Sequence, residues 1–155
     1  METDIFEKYR KLQEKFDLPQ LNELKHTFRF EIEKEEEMFD QIRMEMSDRL
    51  FTFTERLIEP IIGGSDSFSC MFEQNMVTDK ERNELFILYK KIQVLKWENN
   101  LLTMKPDEEK TVEWIRKAWS FWNNELENTL SSLCEKLSSS WRDLRLKNEK
   151  TSYHG

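Results

Sequence analysis

Residues 106–146 read PDEEKTVEWIRKAWSFWNNELENTLSSLCEKLSSSWRDLRL, and their spacing decides the fold. Apolar side chains fall at Val112, Ile115, Trp119, Trp122, Leu126, Leu130, Leu133, Leu137, Trp141 and Leu144, nine steps over 32 residues, or 3.56 per step. That is the period of a nearly straight α-helix rather than of a strict seven-residue seam. Pro106 followed by Asp107, Glu108 and Glu109 suits a helix start: proline needs no amide partner there, and carboxylates favour the positive end of the helix dipole. At 1.5 Å per residue such a helix is a rod on the order of 60 Å.

Two further stripes repeat the signal. Phe39, Ile42, Met46, Leu50, Phe53 and Leu57 make five steps over 18 residues, which predicts a helix over about 33–59, ended by Pro60 and Gly63-Gly64. Thr78-Asp79-Lys80-Glu81 has the spacing of a capping box. It predicts a helix over 79–104 with Leu85, Leu88, Tyr89, Ile92, Leu95 and Leu102 inward. A short N-terminal helix is expected to Phe16, and Pro19 excludes its continuation. Residues 17–32 are expected to be an extended or loosely helical connector that pins Phe28 and Phe30 into the core, since Phe28-Arg29-Phe30-Glu31-Ile32 alternates. A short helix over Phe68–Met76, capped by Ser65 or Asp66, is expected within the apolar 61–77 connection.

The expected fold is therefore all-α: an antiparallel bundle of three long helices, over about 33–59, 79–104 and 106–146, with two short ones. Residues 1–146 are expected to form a single domain and 147–155 a polar, frayed tail. Three Gly and three Pro in 155 residues leave little room for a turn-rich β architecture. Eleven Phe, five Trp and three Tyr supply the core that a 35% charged chain needs to escape disorder.

Charge narrows the partners. The net charge is −7, and residues 31–60 carry ten acids against four bases. Nucleic acid is not expected as a partner, because phosphate binding needs a surplus of Lys and Arg. No run reaches the roughly 18–20 apolar residues of a membrane span. Cys70 and Cys134 show no disulfide or metal spacing, which points to a reducing cytoplasm, and Cys134 beside Leu130, Leu133 and Leu137 is expected to be buried.

Several constellations bear on function. Glu23-x-x-His26 has the spacing that di-iron carboxylate bundles use twice, with two further glutamates. The only other histidine is His154, so one copy stands alone. Glu33-x-x-Glu36 and Glu45-x-x-Asp48 resemble the paired carboxylates of MazG-type all-helical nucleotide pyrophosphohydrolases, which hold magnesium with one pair on each of two helices. The resemblance implies a metal-dependent hydrolase using the acidic face of Glu33, Glu36, Glu37 and Asp40. It departs from the family in placing both pairs on one expected helix, whereas a hard cation needs carboxylates converging from different elements. Trp114, Trp119 and Trp122 sit where apolar side chains cover most of the helix circumference, as in a central core helix or the wall of a pocket for an apolar small molecule.

The last helix outruns its neighbours, and its surplus carries Leu137, Trp141 and Leu144. Cover is expected from within the chain, from the 61–77 connection or the first helix. Otherwise these residues are a surface for a protein partner or for self-association. The favoured function is a non-enzymatic, cytoplasmic protein-interaction or scaffold module without cofactors. The hydrolase and the apolar-ligand binder are the alternatives.

Overall fold

The computed structural model describes residues 2–64 and 66–145, and among them every regular element is a helix. In chain order these are α1 (Glu2–Phe16), α2 (Leu21–Phe28), a 3-10 turn (Glu35–Glu37), α3 (Met38–Ile62), α4 (Phe68–Met76), α5 (Asp79–Met104), α6 (Glu108–Phe121), a π turn (Trp122–Leu126) and α7 (Glu127–Asp143). The last three run on as one helix over 108–143. The expected tail 147–155, the end of the expected helix at Leu146 and the expected cap Ser65 lie outside the described residues.

Three long rods make the bundle. Side-chain links run in opposite chain directions between α3 and α5: Arg43 reaches Asn99, Glu55 meets Lys96 at 2.7 Å, and Tyr89 meets Glu59 at 2.6 Å. The links from α5 to the last helix descend in the same way, from Glu98–Lys117 at 2.8 Å to Lys91–Glu125 and Glu81–Lys136. Each rod is thus antiparallel to the next in sequence. Ile42, Met46, Leu50, Ile92, Val112, Ile115 and Leu126 are completely or almost completely buried between them.

The expected boundaries of the second long helix need correction at both ends. It begins at Met38 rather than near 33, because the Gln41 side chain holds the preceding strand-like segment: it accepts from Glu33 N–H at 2.9 Å and donates to the Glu31 carbonyl at 2.6 Å. At the other end α3 passes through Pro60 to Ile62. Proline loses only one rung near a helix end, and the Pro60 carbonyl is taken up by Gln74 Nε2 at 2.8 Å. Gly63 N–H closes the helix on the Glu59 carbonyl at 2.7 Å, an approach so close that a Cβ at Gly63 would stand 2.9 Å from that oxygen. The buried stripe also drifts. Phe51, Thr54, Ile58 and Ile61 point inward, whereas Phe53 is exposed and Leu57 half-buried.

The 17–32 connector is more ordered than its alternating letters suggest. Leu21–Phe28 is an α-helix, ended by Arg29 in the left-handed region at φ 51°. That one residue turns the chain so that Phe28 and Phe30 are both buried without any strand. Tyr9 O–H donates to the Pro19 carbonyl at 2.6 Å and ties α1 to this corner. Near the far end, Ser67 caps α4, its hydroxyl accepting from Cys70 N–H at 3.3 Å.

The last helix is not uniform. Phe121 and Leu126 are both buried, yet five residues apart on an ideal α-helix they would point about 140° away from each other. The π turn between them, with Glu127 N–H bonded to the Trp122 carbonyl, underwinds the helix and restores one face. Cys134 is exposed rather than buried, because Leu130 and Leu133 alone take the inward positions there.

Candidate protein-interaction surface

α5 is apolar on two opposite sides. Its inner side buries Leu85, Leu88, Ile92, Leu95 and Leu102. Its outer side exposes Ile87, Val94, Trp97, Leu101 and Met104, with Trp97 68% and Met104 78% accessible. These five follow steps of seven, three, four and three, the spacing of the two seam positions of a heptad repeat, with Lys90 at the one seam position between Ile87 and Val94. The strip runs about 26 Å along the helix. Isolated surface hydrophobics are ordinary, but a contiguous strip of this kind is not.

Rigid neighbours present this strip. The Thr78–Glu81 capping box starts α5, with Thr78 Oγ1 accepting from Glu81 N–H at 3.1 Å and Glu81 Oε1 accepting from Thr78 N–H at 3.2 Å. One flank is tied to the last helix by Lys117–Glu98 and Lys91–Glu125, and the other to α3 by Lys96–Glu55 and Tyr89–Glu59. Behind it, Trp114 Nε1–H donates to the Leu95 carbonyl at 3.0 Å. Arg43, 3% accessible, lies between α3 and α5 and donates to the Asn99 carbonyl at 3.2 Å, to Asn99 Oδ1 and to Thr103 Oγ1 at 3.1 Å. Burial lowers its pKa, and Asp40 at 3.8 Å works against that shift. The outer strip is therefore fixed on a helix gripped from three directions.

The residues singled out in the sequence are dispersed. Glu33, Glu36, Glu37 and Asp40 are all exposed, on the segment before α3 and its first turn. Among the described residues no group of three or more His, Cys, Asp or Glu is placed to hold a metal ion. His26 and Glu23 are exposed on α2. The three tryptophans do not share a pocket: Trp114 is 2% accessible, edge-on to Phe51, whereas half-buried Trp119 and Trp122 pack against Phe28. At the end of the last helix Leu137 is half-buried and Leu144 exposed. Trp141 lies against Phe72, ring centroids 4.3 Å apart, and donates its indole N–H to Glu73 at 3.1 Å. α4, from the apolar connection, thus touches this end of the helix, while Trp141 and Leu144 remain exposed at 36% and 41%.

The outer strip of α5 does not stand out in the sequence alone. Its signal was present, since Ile87, Val94, Trp97, Leu101 and Met104 keep heptad spacing, but they interleave with the inward stripe and blur its period. No helix among the described residues is long and apolar enough to cross a membrane. No family model, curated protein or solved structure matches this chain.

Proposed function

We propose that this chain is a non-enzymatic protein-interaction module of the reducing cytoplasm, and that its working surface is the outer face of α5. One observation carries the reading: five large apolar side chains in heptad register stand exposed on a helix held rigidly from behind. Leaving them in water forgoes burial worth roughly 1.5–3 kcal/mol for each large side chain. Helix faces of this spacing bury themselves against a second helix. The free thiols of Cys70 and Cys134 support the choice of compartment.

The test places a photoreactive benzoylphenylalanine at position 97 in cells. A discrete protein adduct is expected on irradiation, and the same group at exposed Glu127 on α7 should give none. Equal, diffuse labelling from both positions defeats the reading.

A further inference from the structure

We propose that the occupant of this face is a second copy of the chain, packed antiparallel along α5 about a two-fold axis that crosses between Val94 and Trp97. The inference rests on the outer face of α5 being the working surface, and the sequence of that face selects both orientation and register.

Place two copies of α5 side by side and antiparallel, so that seam positions of one heptad phase meet those of the other. Ile87 then packs on the second copy's Met104, Val94 on its Trp97, and Leu101 on the stem of its Lys90, whose ammonium reaches water at the edge. Because the axis is two-fold, every contact occurs twice. The five exposed seam residues are covered, and Phe86, 52% accessible, stands at the edge of the seam.

The flanking charges agree. On one edge of the strip the residues next to the seam are Glu84, Lys91, Glu98 and Lys105, alternating in sign at intervals of seven. In this register Glu84 faces the second copy's Lys105, and Lys91 faces its Glu98. Lys91 and Glu98 already pair within the chain with Glu125 and Lys117. Association therefore joins two short ion pairs into one row of four alternating charges. The opposite edge carries Phe86, Gln93 and Asn100; the last two face each other, and none of the three brings a charge.

Competing arrangements are penalised. A slip of one heptad in one direction sets Glu84 against Glu98 and Lys91 against Lys91. A slip in the other direction sets Lys91 against Lys105 and Glu98 against Glu98. Parallel pairing in register puts Lys90 against Lys90 inside the seam and gives no opposite-charge contact at either edge. Like charges across such a seam disfavour the pairing, and opposite ones fix partner and orientation.

The experiment measures mass in solution by light scattering over a dilution series. The parent is expected at twice its 19.0 kDa chain mass. Trp97→Glu combined with Leu101→Glu is expected to give a monomer of unchanged helicity. Rim substitutions test the register without touching the seam. Glu84→Lys alone and Lys105→Glu alone should each weaken dimerisation roughly tenfold. An equimolar mixture of those two variants should recover it as a heterodimer, and the double variant should recover it as a homodimer. If the glutamate variant loses helix, the rim variants still decide. A parent that stays monomeric at all concentrations, or a dimer that survives the glutamates, overturns the proposal. So does a mixture that fails to recover, because only this antiparallel register pairs positions 84 and 105. A monomeric parent whose position-97 adduct contains a different protein overturns self-pairing alone and leaves α5 as the working face.

Discussion

Trp114 on α6 donates its indole N–H to the main-chain carbonyl of Leu95 on α5, at 3.0 Å. The bond meets a requirement of burial, since an indole N–H enclosed by apolar side chains needs an acceptor. It also goes with the rotation of α5: Leu95 is turned towards Trp114, while Val94 and Trp97, about 100° and 160° further round the helix, are exposed.

From that contact follows a graded series on the last helix. Trp114→Phe keeps the ring against Phe51 but loses the bond, and should cost about 1–2 kcal/mol. Trp114→Ala should cost about 3–5 kcal/mol, while Trp119→Ala, from a half-buried ring, should fall below that range. Urea melts of the three variants check the order. Trp119→Ala matching Trp114→Ala would show that the ring on Phe28 counts as much as the one between the rods.

Arg43 tests whether a buried charge stabilises this interface. It has three acceptors on α5, but its Nε is buried without a partner and its desolvation is costly. Arg43→Met, which keeps the volume, should change stability by less than about 1.5 kcal/mol. Arg43→Ala opens a cavity and should cost about 2–4 kcal/mol. Equal losses in the two variants, read from denaturant melts, would assign the role to the hydrogen bonds instead of the packing.

Glu81 predicts the acid limb of stability. Its hydrogen bond from Lys136 chiefly lowers its pKa, partial burial opposes this, and the bonds with Thr78 add to the lowering. A depressed carboxylate contributes fully above its unfolded value, about 4.3, and the contribution is lost as pH falls through the lower folded value. Glu81→Gln should therefore flatten the fall in unfolding free energy below that pH. An unchanged acid limb would sink the assignment.

Tyrosines predict the alkaline limb. The hydrogen bond to Glu59 chiefly, with burial and the charges of Glu59 and Glu55 adding, pushes the Tyr89 pKa up to about 12. Burial, with Glu23 adding, raises that of Tyr9 as well. A raised pKa means the folded state holds its proton longer, so stability is complete below the unfolded value of about 10 and falls as pH rises towards the folded value. Tyr89→Phe should flatten part of that fall between about 10 and 12. Melts of parent and variant across this window give the comparison, and identical slopes would contradict it.

The three long rods are legible in the amino-acid sequence, because each is specified by short-range features. The capping box at Thr78 and Glu81 closes within three residues, and helical spacing sends Ile92 and Leu95, or Val112 and Ile115, to one side. The short helix at Phe68–Met76 was legible for the same reason. Packing resolves what local rules leave degenerate. Arg29 turns α2 out of an apparently alternating run, and Gln41 holds back the start of α3. The π turn reconciles Phe121 with Leu126. Of the five residues marking the candidate surface, each letter was visible, but α5 carries two apolar sets. Only the packing of α3 and the last helix decides which set becomes core. A side chain's hydrophobicity says that it seeks cover; which neighbour supplies that cover is a property of the assembled bundle. Leu95 went to Trp114, and Trp97 was left facing water.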